Sequence, residues 1–265
     1  MTNAIQSLGR GVLGFLGYLG QLAHLFSDTT LALFIGVRRL GLVGRQIVSI
    51  GFGSQLVVVV TGAFTGAVFA AQTYFMFSDM GLESAVGPVV SIAMCRELGP
   101  VLTALMVAGR VGASMAAEIG TMKVTEQVDA LRAMGVHPLD YLVVPRAVGM
   151  FFSMPLLVAE ATGFGILSSY VITVHGFKVP FAYYDTQIRA FTDLTDISIG
   201  MIKGCVFGAI IVLVSCHQGL NTTNGAVGVG KSTTAAVVIS SLAVLISNFF
   251  LSLLLNYFSP LGGSL

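Results

Sequence analysis

A charge-free run, Ile47–Phe77, constrains the fold of this chain more than any other feature. As a helix rising about 1.5 Å per residue it would extend roughly 45 Å, longer than the ~30 Å hydrocarbon core of a bilayer. Lipid cannot hydrogen-bond the backbone, so a spanning segment must be a helix or part of a closed barrel. The run is too long and too uniformly apolar for a barrel strand. It therefore predicts a membrane-spanning helix.

Four more apolar stretches follow along the chain, and the composition agrees with them. The chain is 55% hydrophobic and 9% charged, with a mean hydropathy of +0.90, which excludes an ordinary soluble globule. We predict an all-α integral membrane protein forming one domain over residues 1–265. Its five transmembrane helices are predicted at 47–77, 86–117, 144–174, 198–217 and 233–258.

Two segments outside these spans are predicted to lie at the membrane surface. Residues 4–26 carry regularly spaced glycines and one internal charge, Arg10, which favours a helix lying in the interface. The sequence leaves open whether this helix crosses the membrane. Residues 178–196 combine charges with Tyr183, Tyr184 and Phe191, as an external helix in the aromatic belt would.

The distribution of Lys and Arg predicts the orientation. With the N-terminus inside, the inner side carries most of these residues, and such an excess is typical of the cytoplasmic side. The inner set comprises Arg10, Arg38, Arg39, Arg45, Arg110, Lys123, Arg132, Arg146 and Lys231, and the outer set Arg96, Lys178, Arg189 and Lys203. We expect a multi-pass protein with a cytoplasmic N-terminus.

A polar island, Glu118–Arg146, separates the second and third predicted spans. Thr125 is placed to cap a helix whose first turn holds Glu126 and Asp129 and whose last turn holds Arg132. Gly135 and Pro138 would end that helix, and its apolar edge consists of Val128, Leu131 and Met134. A short amphipathic helix held between two spans indicates a docking element.

Charges inside predicted spans are costly and therefore mark candidate functional positions. Arg96, Glu97 and Lys203 could line a polar spot in an apolar cavity, which suits an amphiphile with an anionic headgroup. The alternative is a polar clamp between helices. For Glu160 an interhelical hydrogen bond is favoured over a proton relay, because a relay needs a chain of such groups.

Small-residue spacing points to close helix contacts. Gly62 with Gly66, and Gly204 with Gly208, let helix backbones approach in lipid. Packing within one subunit and a subunit interface are both open interpretations. At the inner end of the second span, Arg110 and Glu118 are expected to pair with the neighbouring loop.

One motif match is rejected. Gly225 to Ser232 fits the Walker A pattern, but a polar segment precedes it instead of a buried strand, and a membrane span follows it. We interpret it as a glycine-rich turn in which Ser232 or Thr233 caps the last helix. Cys95, Cys205 and Cys216 lie in apolar runs, and the histidines have no ligand-spaced partners, so no metal site is predicted.

A string of short motifs follows in order along the middle of the chain. The motifs are Arg96-Glu-Leu-Gly-Pro-Val101, Ala108-Gly-Arg-Val-Gly112, Ala117-Glu-Ile-Gly-Thr-Met122, Thr125-Glu-Gln127 with Ala130-Leu131, and Met134-Gly-Val-His-Pro-Leu139. This string resembles the permeases of MCE-associated ABC transporters, the Mla-type (MlaE/YrbE) lipid-transport family. The resemblance extends from about Val43 to Tyr257 and is densest between Arg96 and Pro155.

The resemblance implies a homodimeric permease of the bacterial inner membrane that moves phospholipid and catalyses no reaction itself. Its implied partners are a cytoplasmic ABC ATPase dimer, which binds ATP and Mg, a periplasmic ring of MCE proteins and often a small STAS-domain protein. No nucleic acid is implied. The lipid-binding positions would be Arg96, Glu97, Tyr74 and Lys203. Asn248 stands where relatives often have Asp.

The same resemblance makes residues 121–135 the coupling helix that docks on the ATPase. The residues assigned to this coupling are Glu118, Thr121, Lys123, Thr125, Glu126, Asp129 and Arg132. Two rival functions remain at this point. One is an ion- or proton-coupled secondary transporter using Glu160, Arg96 and Glu97, and the other is a non-transporting scaffold. The direction of transport and the exact lipid are not set by the sequence.

Overall fold

A computed structural model describes residues 2–35 and 40–258, and within these ranges it contains helices and turns but no strand. Eight helices follow in order. They are α1 (Thr2–Ile35), α2 (Leu40–Ser78), α3 (Glu83–Val124), α4 (Gln127–Ala133), α5 (Leu139–Gly176), α6 (Phe181–Phe191), α7 (Leu194–Leu220) and α8 (Gly225–Phe258).

In the described part of the chain, five helices are long and apolar enough to cross a membrane: α2, α3, α5, α7 and α8. This confirms the predicted all-α membrane fold with an additional N-terminal helix. The helices extend past the apolar runs because polar residues continue them. At α7, for example, Asp193 and Asp196 form a capping box that begins the helix four residues before the predicted start.

The N-terminal helix α1 is longer than the predicted 4–26 segment. It continues to Ile35, and its hydroxyl side chains bond within the helix instead of ending it: Ser27 donates to the His24 carbonyl at 2.8 Å and Thr30 to the Phe26 carbonyl at 3.0 Å. Arg38 and Arg39, which contributed to the predicted orientation, lie outside the described residues.

The centre of the bundle consists of α3, α5 and α7. In the most apolar 18-residue segment of each of these helices, about half of the segment is buried, whereas the buried share is only 22% in α2 and 11% in α8. Helix α2 packs along α5 through its paired glycines. A Cβ atom on Gly62 would lie 2.4 Å from the Ala161 carbonyl oxygen, and one on Gly66 would lie 2.1 Å from that of Gly165. This glycine pair therefore packs within the chain.

The second glycine pair, on α7, also faces α5. Gly204 lies against Val158, and Gly208 lies against Met154 and Met150. Both glycine pairs thus serve close packing between neighbouring helices of one chain, as the first of the two interpretations proposed.

Helix α3 is interrupted by two π-helical turns, Met94–Leu98 and Ala108–Gly112. Each widens the helix and adds one residue to a turn. The first contains Arg96 and Glu97, and the second contains Arg110. The three charged residues in the middle of α3 therefore sit where the helix departs from regular α geometry, a common arrangement at functional positions.

The glycine-rich segment that fits the Walker A pattern is helical from Gly225 onward. Asn224 and Gly225 have φ values of 64° and 60° and form the turn before α8. The prediction that Ser232 or Thr233 caps this helix is wrong, because both lie about two turns inside it. Thr233 donates to the Val229 carbonyl at 2.7 Å, as a hydroxyl within a helix does.

At the end of the bundle opposite α4, helix α6 is anchored by Tyr184, which is 4% exposed. Its hydroxyl donates to the Ser169 hydroxyl oxygen at 3.1 Å, and burial raises the pKa of Tyr184. Tyr183 and Phe191 are more than 60% exposed. Of the three aromatic residues predicted to lie in the aromatic belt of the membrane surface, two face outward and Tyr184 packs inward.

Candidate functional site

A charged cluster lies between α3, α7 and α8, and Lys203 is at its centre. The side chain of Lys203 is 0% exposed. Its ammonium donates three hydrogen bonds: to Glu97 Oε1 at 2.8 Å, to the Arg96 carbonyl at 2.7 Å and to Ser252 Oγ at 2.8 Å. All three of its donors therefore have acceptors, as a buried cation requires.

Glu97 receives contacts from the same helices but is not enclosed. Asn248 donates to its Oε2 at 2.9 Å and Ser252 to its Oε1 at 2.8 Å. The side chain of Glu97 remains 40% exposed. The carboxylate is thus held in position from α7 and α8 while one side of it stays open.

Arg96, in contrast to Glu97, is buried, and two of its guanidinium nitrogens have side-chain partners. Its Nε forms an ion pair with Asp196, and its Nη1 donates to Asn256 Oδ1 at 2.7 Å. The side chains of Arg96 and Asp196 are 8% and 3% exposed. Asp196 also accepts from the Asp193 backbone amide at 2.9 Å, so the carboxylate that caps α7 also neutralises Arg96.

The structure therefore brings together three of the four predicted lipid-binding residues: Arg96, Glu97 and Lys203. Tyr74 forms no hydrogen bond or ion pair with these three within the described residues; its ring is stacked on Phe177 with centroids 4.1 Å apart. The polar-clamp interpretation describes Arg96 and Lys203, which are buried, whereas Glu97 is the member of the cluster open to a ligand.

Sequence reasoning missed Asp196, which it placed in the external segment, and it missed Ser252 and Asn256. A signal for part of this was present. Asn248, Ser252 and Asn256 recur every fourth residue and so form a polar stripe along an otherwise apolar span. That stripe is the side of α8 that meets Arg96, Glu97 and Lys203.

The predicted coupling segment, 121–135, is divided in the structure. Its first residues complete α3, which ends at Val124, and α4 begins only at Gln127. The prediction that Thr125 caps α4 is wrong: Glu126 occupies that position with φ 61°, and Thr125 donates back to the Thr121 carbonyl at 2.8 Å. Left-handed backbone at Glu126 turns the chain sharply between the helices.

The apolar edge of α4 docks partly on its own chain. Val128 is 1% exposed and belongs to the main core, and Leu131 packs against that core. Met134, the third member of the edge, is 68% exposed. Helix α4 is therefore fixed to the bundle, and a partner would meet its charged face and Met134.

The charges around α4 are mostly paired with one another. Asp129 accepts from Lys123 at 3.1 Å and from Arg132 at 3.2 Å. Glu118 pairs at 2.7 Å with Arg146, whose side chain is 4% exposed. The Thr121 hydroxyl donates to the Ala117 carbonyl. Within residues 2–35 and 40–258, the exposed Glu126 carboxylate has no hydrogen-bond or ion-pair partner.

Two further intramembrane charges lie outside the cluster. Glu160 accepts from Gln55 Nε2 at 2.8 Å, the interhelical hydrogen bond favoured from the sequence, while its buried Oε2 has no hydrogen-bond partner among the described residues. Arg110 donates to Ser54 Oγ at 2.8 Å, so it does not pair with the polar loop as expected. In the part of the chain that the structure describes, no group of His, Cys, Asp and Glu could hold a metal ion.

Fold and site define a multi-pass helical membrane protein with a charged cluster between its spans and a short docked helix at one end. The chain belongs to the MlaE permease family, whose model, "Permease MlaE", matches residues 43–254. It is thus the permease subunit of an ABC transporter, a role that implies an ATPase partner.

Relatives from three lineages agree with this assignment. A probable ABC transporter permease protein of Rickettsia conorii is 42% identical over 253 residues, 95% of this chain and 97% of that protein. One of Synechocystis sp. is 43% identical over 211 residues, 80% of each chain. The chloroplastic protein TRIGALACTOSYLDIACYLGLYCEROL 1 of Arabidopsis thaliana is 41% identical over 223 residues, 83% of this chain and 63% of that protein.

Proposed function

We propose that this permease moves phospholipid between the bacterial inner membrane and a periplasmic MCE protein, and so serves outer-membrane lipid homeostasis. The observation that carries the proposal is Glu97: a carboxylate 40% exposed, yet fixed by Lys203, Asn248 and Ser252 within apolar spans. Such a polar position in an apolar surrounding fits a ligand with a charged head and apolar tails. The Arabidopsis relative bears the name of a diacylglycerol galactolipid, which agrees with a lipid substrate.

The working unit is proposed to be a homodimer. Only 11% of the most apolar 18-residue segment of α8 is buried in the single chain. The same helix carries Asn248, Ser252 and Asn256 into the charged cluster. A second copy beside α8 would cover its apolar surface and complete the wall of a cavity around Glu97. The periplasmic MCE ring, and a STAS-domain protein where present, complete the proposed assembly.

Coupling to ATP is proposed to pass through residues 121–135. Helix α4 is tied to the core by Val128 and to α3 by the Lys123–Asp129 pair, so movement of α4 would be transmitted to the spans. The N-terminus and α4 are proposed to be cytoplasmic, with ATP and Mg bound by the ATPase and no cofactor in this chain. Glu126 and Asp129 are proposed to meet basic groups of the ATPase.

The rival function, a proton- or ion-coupled secondary transporter, is less well supported. It would use Glu160, Arg96 and Glu97, but Arg96 is paired with Asp196, and Glu97 is paired with Lys203. Glu160 contacts Gln55 instead. The three groups therefore belong to separate pairs, and the described hydrogen bonds do not connect them into a relay.

The first experiment is purification from native membranes in mild detergent, followed by mass spectrometry of the retained proteins and lipids. Co-purification of an ATPase, an MCE protein and phospholipid is the expected result. Glu97→Gln, which removes the charge but keeps the shape of the side chain, should reduce the retained phospholipid. A preparation without ATPase or lipid would contradict the proposal. Transport that depends on the proton gradient and does not depend on ATP would also contradict it.

A further inference from the structure

Arg110 lies within α3 about 20 Å from Glu97, taking 13 residues at about 1.5 Å each, on the α4 side of the charged cluster. Its side chain is exposed. Its one hydrogen bond in the described residues is to Ser54 Oγ, at 2.8 Å. A cation inside a membrane span is costly, and it persists where a partner or a polar cavity compensates for the charge.

No carboxylate of the described residues lies within ion-pair distance of Arg110. The nearest candidate along the same helix is Glu118, two turns away, but it pairs with Arg146 at 2.7 Å. Arg146 is buried and in turn needs that carboxylate. Within residues 2–35 and 40–258, the positive charge of Arg110 is therefore not neutralised by a carboxylate.

A cavity of about 200 Å³ borders Arg110 between α2 and α3. A water molecule occupies about 30 Å³ in the liquid, so the space admits a small polar group. The lining is largely polar: Gln46, Ser49, Ile50, Arg110, Val111, Ser114, Met115 and Glu118. The Glu118 carboxylate is the one acidic group in this lining, and Arg146 neutralises it.

The guanidinium of Arg110 is held in place by its surroundings. It lies against Gly53 of α2, where an added Cβ atom would come within 2.6 Å of Arg110 Nη2, so a larger residue at position 53 would displace the end of this side chain. The π-helical turn Ala108–Gly112 sets the direction in which the side chain leaves α3. With one nitrogen engaged by Ser54, the remaining donors of the planar fork stay available.

We propose that Arg110 and this cavity form a second binding site, distinct from the Glu97 cluster, for the phosphate of a membrane phospholipid. Two parallel N–H donors of a guanidinium match two phosphate oxygens, and the serine hydroxyls and Gln46 amide supply further hydrogen bonds. The inference rests on the proposed function. It adds a headgroup position on the α4 side of the spans, which a lipid would occupy before or after the position at Glu97 on its path through the permease.

The test is photo-crosslinking in cells grown with radioactive phosphate, using the full chain with its partners. A Ser114→p-benzoylphenylalanine probe lies in the cavity lining, and a Phe64→p-benzoylphenylalanine probe lies on the lipid-facing side of α2, where Phe64 is 70% exposed. We expect a labelled lipid adduct at both positions.

Arg110→Gln should lower the adduct at position 114 by about tenfold, because charge-assisted hydrogen bonds are lost, and should leave the adduct at position 64 unchanged. Arg189→Gln removes the same charge from exposed α6 and should change neither adduct. Arg110→Lys keeps the charge without the fork and should give an intermediate yield.

An adduct at position 114 that does not depend on Arg110 would overturn this inference, as would crosslinking there to a second copy or a partner protein without labelled lipid. Phospholipid retained by the same preparations is measured in parallel. If phospholipid is retained and the adduct is insensitive to Arg110, the second site is wrong while the proposed function stands. If the unsubstituted chain retains no phospholipid, the proposed function itself fails.

Discussion

Lys203 is completely enclosed, yet Glu97, the carboxylate that neutralises it at 2.8 Å, keeps 40% of its side chain exposed. One partner of this ion pair is therefore structural and the other faces outward. A ligand bound at Glu97 would therefore also act on the buried charge of Lys203. On the proposed function, occupancy of the open side would in this way affect the contact between α3 and α7.

Glu97→Ala is expected to destabilise the protein, because it leaves the Lys203 ammonium buried without its counter-charge. Loss of one partner of a buried pair costs roughly 3–5 kcal/mol. We expect a loss of stability at the lower end of this range, since the Arg96 carbonyl and Ser252 still accept from Lys203. Thermal unfolding in detergent would measure it. The double variant Glu97→Ala with Lys203→Met should recover most of the loss. If the double variant is no more stable than the single one, the interpretation of the pair is wrong.

Gly66→Ala is expected to separate α2 from α5, because its Cβ would lie 2.1 Å from the Gly165 carbonyl oxygen. Overpacking of this kind costs about 1–3 kcal/mol. Gly163→Ala on α5 is the matched control, since no atom lies within 4 Å of its added Cβ. Thermal unfolding should show a loss of stability for Gly66→Ala and none for Gly163→Ala. Equal behaviour of the two variants would contradict the close contact.

Glu126→Lys is expected to weaken ATPase association, because Glu126 is the unpaired carboxylate beside α4. Like charges across an interface cost several kcal/mol, which corresponds to at least about a tenfold loss of affinity. Co-purification of the ATPase measures this. Asp129→Lys should also weaken binding but in addition breaks the pairs with Lys123 and Arg132.

Two variants separate the charge of Glu126 from its backbone conformation. Glu126→Gly keeps the left-handed turn without strain and removes the charge, so its effect should be smaller than that of Glu126→Lys. Asp79→Lys, exposed at the opposite end of the bundle, should leave ATPase retention unchanged. Full ATPase retention and full transport with Glu126→Lys would exclude the docking proposal for this residue.

Glu160→Gln is expected to preserve ATP-driven lipid transport, since an amide can still accept from Gln55 and no relay reaches this position. Glu160→Leu removes the acceptor and should lower the stability by about 1–3 kcal/mol, because the Gln55 amide is left unsatisfied. Transport assays in proteoliposomes with the partner ATPase, and thermal unfolding, measure the two effects. Loss of transport in a stable Glu160→Gln protein would favour the proton-coupled rival.

The length of the apolar runs was sufficient to predict the five spans, because a segment inside a bilayer must satisfy its backbone hydrogen bonds internally and therefore forms a helix. The isolated charges Arg96, Glu97 and Lys203 were equally visible, since charges in such runs stand out. Their grouping into one cluster depends on packing between α3, α7 and α8, which local sequence does not encode. Asp196 was assigned to the external segment because it is polar, and its capping role extends α7 far enough to reach Arg96.

Local rules failed where tertiary contacts decide the conformation. Thr125 has the chemistry of an N-cap, but α3 continues to Val124, so the hydroxyl of Thr125 bonds backward and Glu126 makes the turn. At α8, glycines indicated a loop, yet the helix begins at Gly225, and the Gly228 amide donates to the Asn224 carbonyl at 3.3 Å. The resemblance placed Tyr74 among the lipid-binding positions, which stays a prediction; its stacking on Phe177 is a tertiary contact that local sequence does not encode.

The two π-helical turns of α3 give this span a property that its composition does not show. Each turn contains one residue more than an α-turn, and one residue corresponds to about 100° of rotation. Deleting a single residue from Ala108–Gly112 would therefore convert this turn to regular α-helix and keep Glu118 in phase with Arg146, while changing the direction in which Arg110 leaves the helix. Deleting a single residue from the regular segment Gly99–Val107 would instead rotate the following part of α3 by about 100° relative to Arg96 and carry Glu118 away from Arg146. The position of a deletion in this span, and not only its length, thus decides the outcome, and the second deletion should lower the thermal stability more than the first.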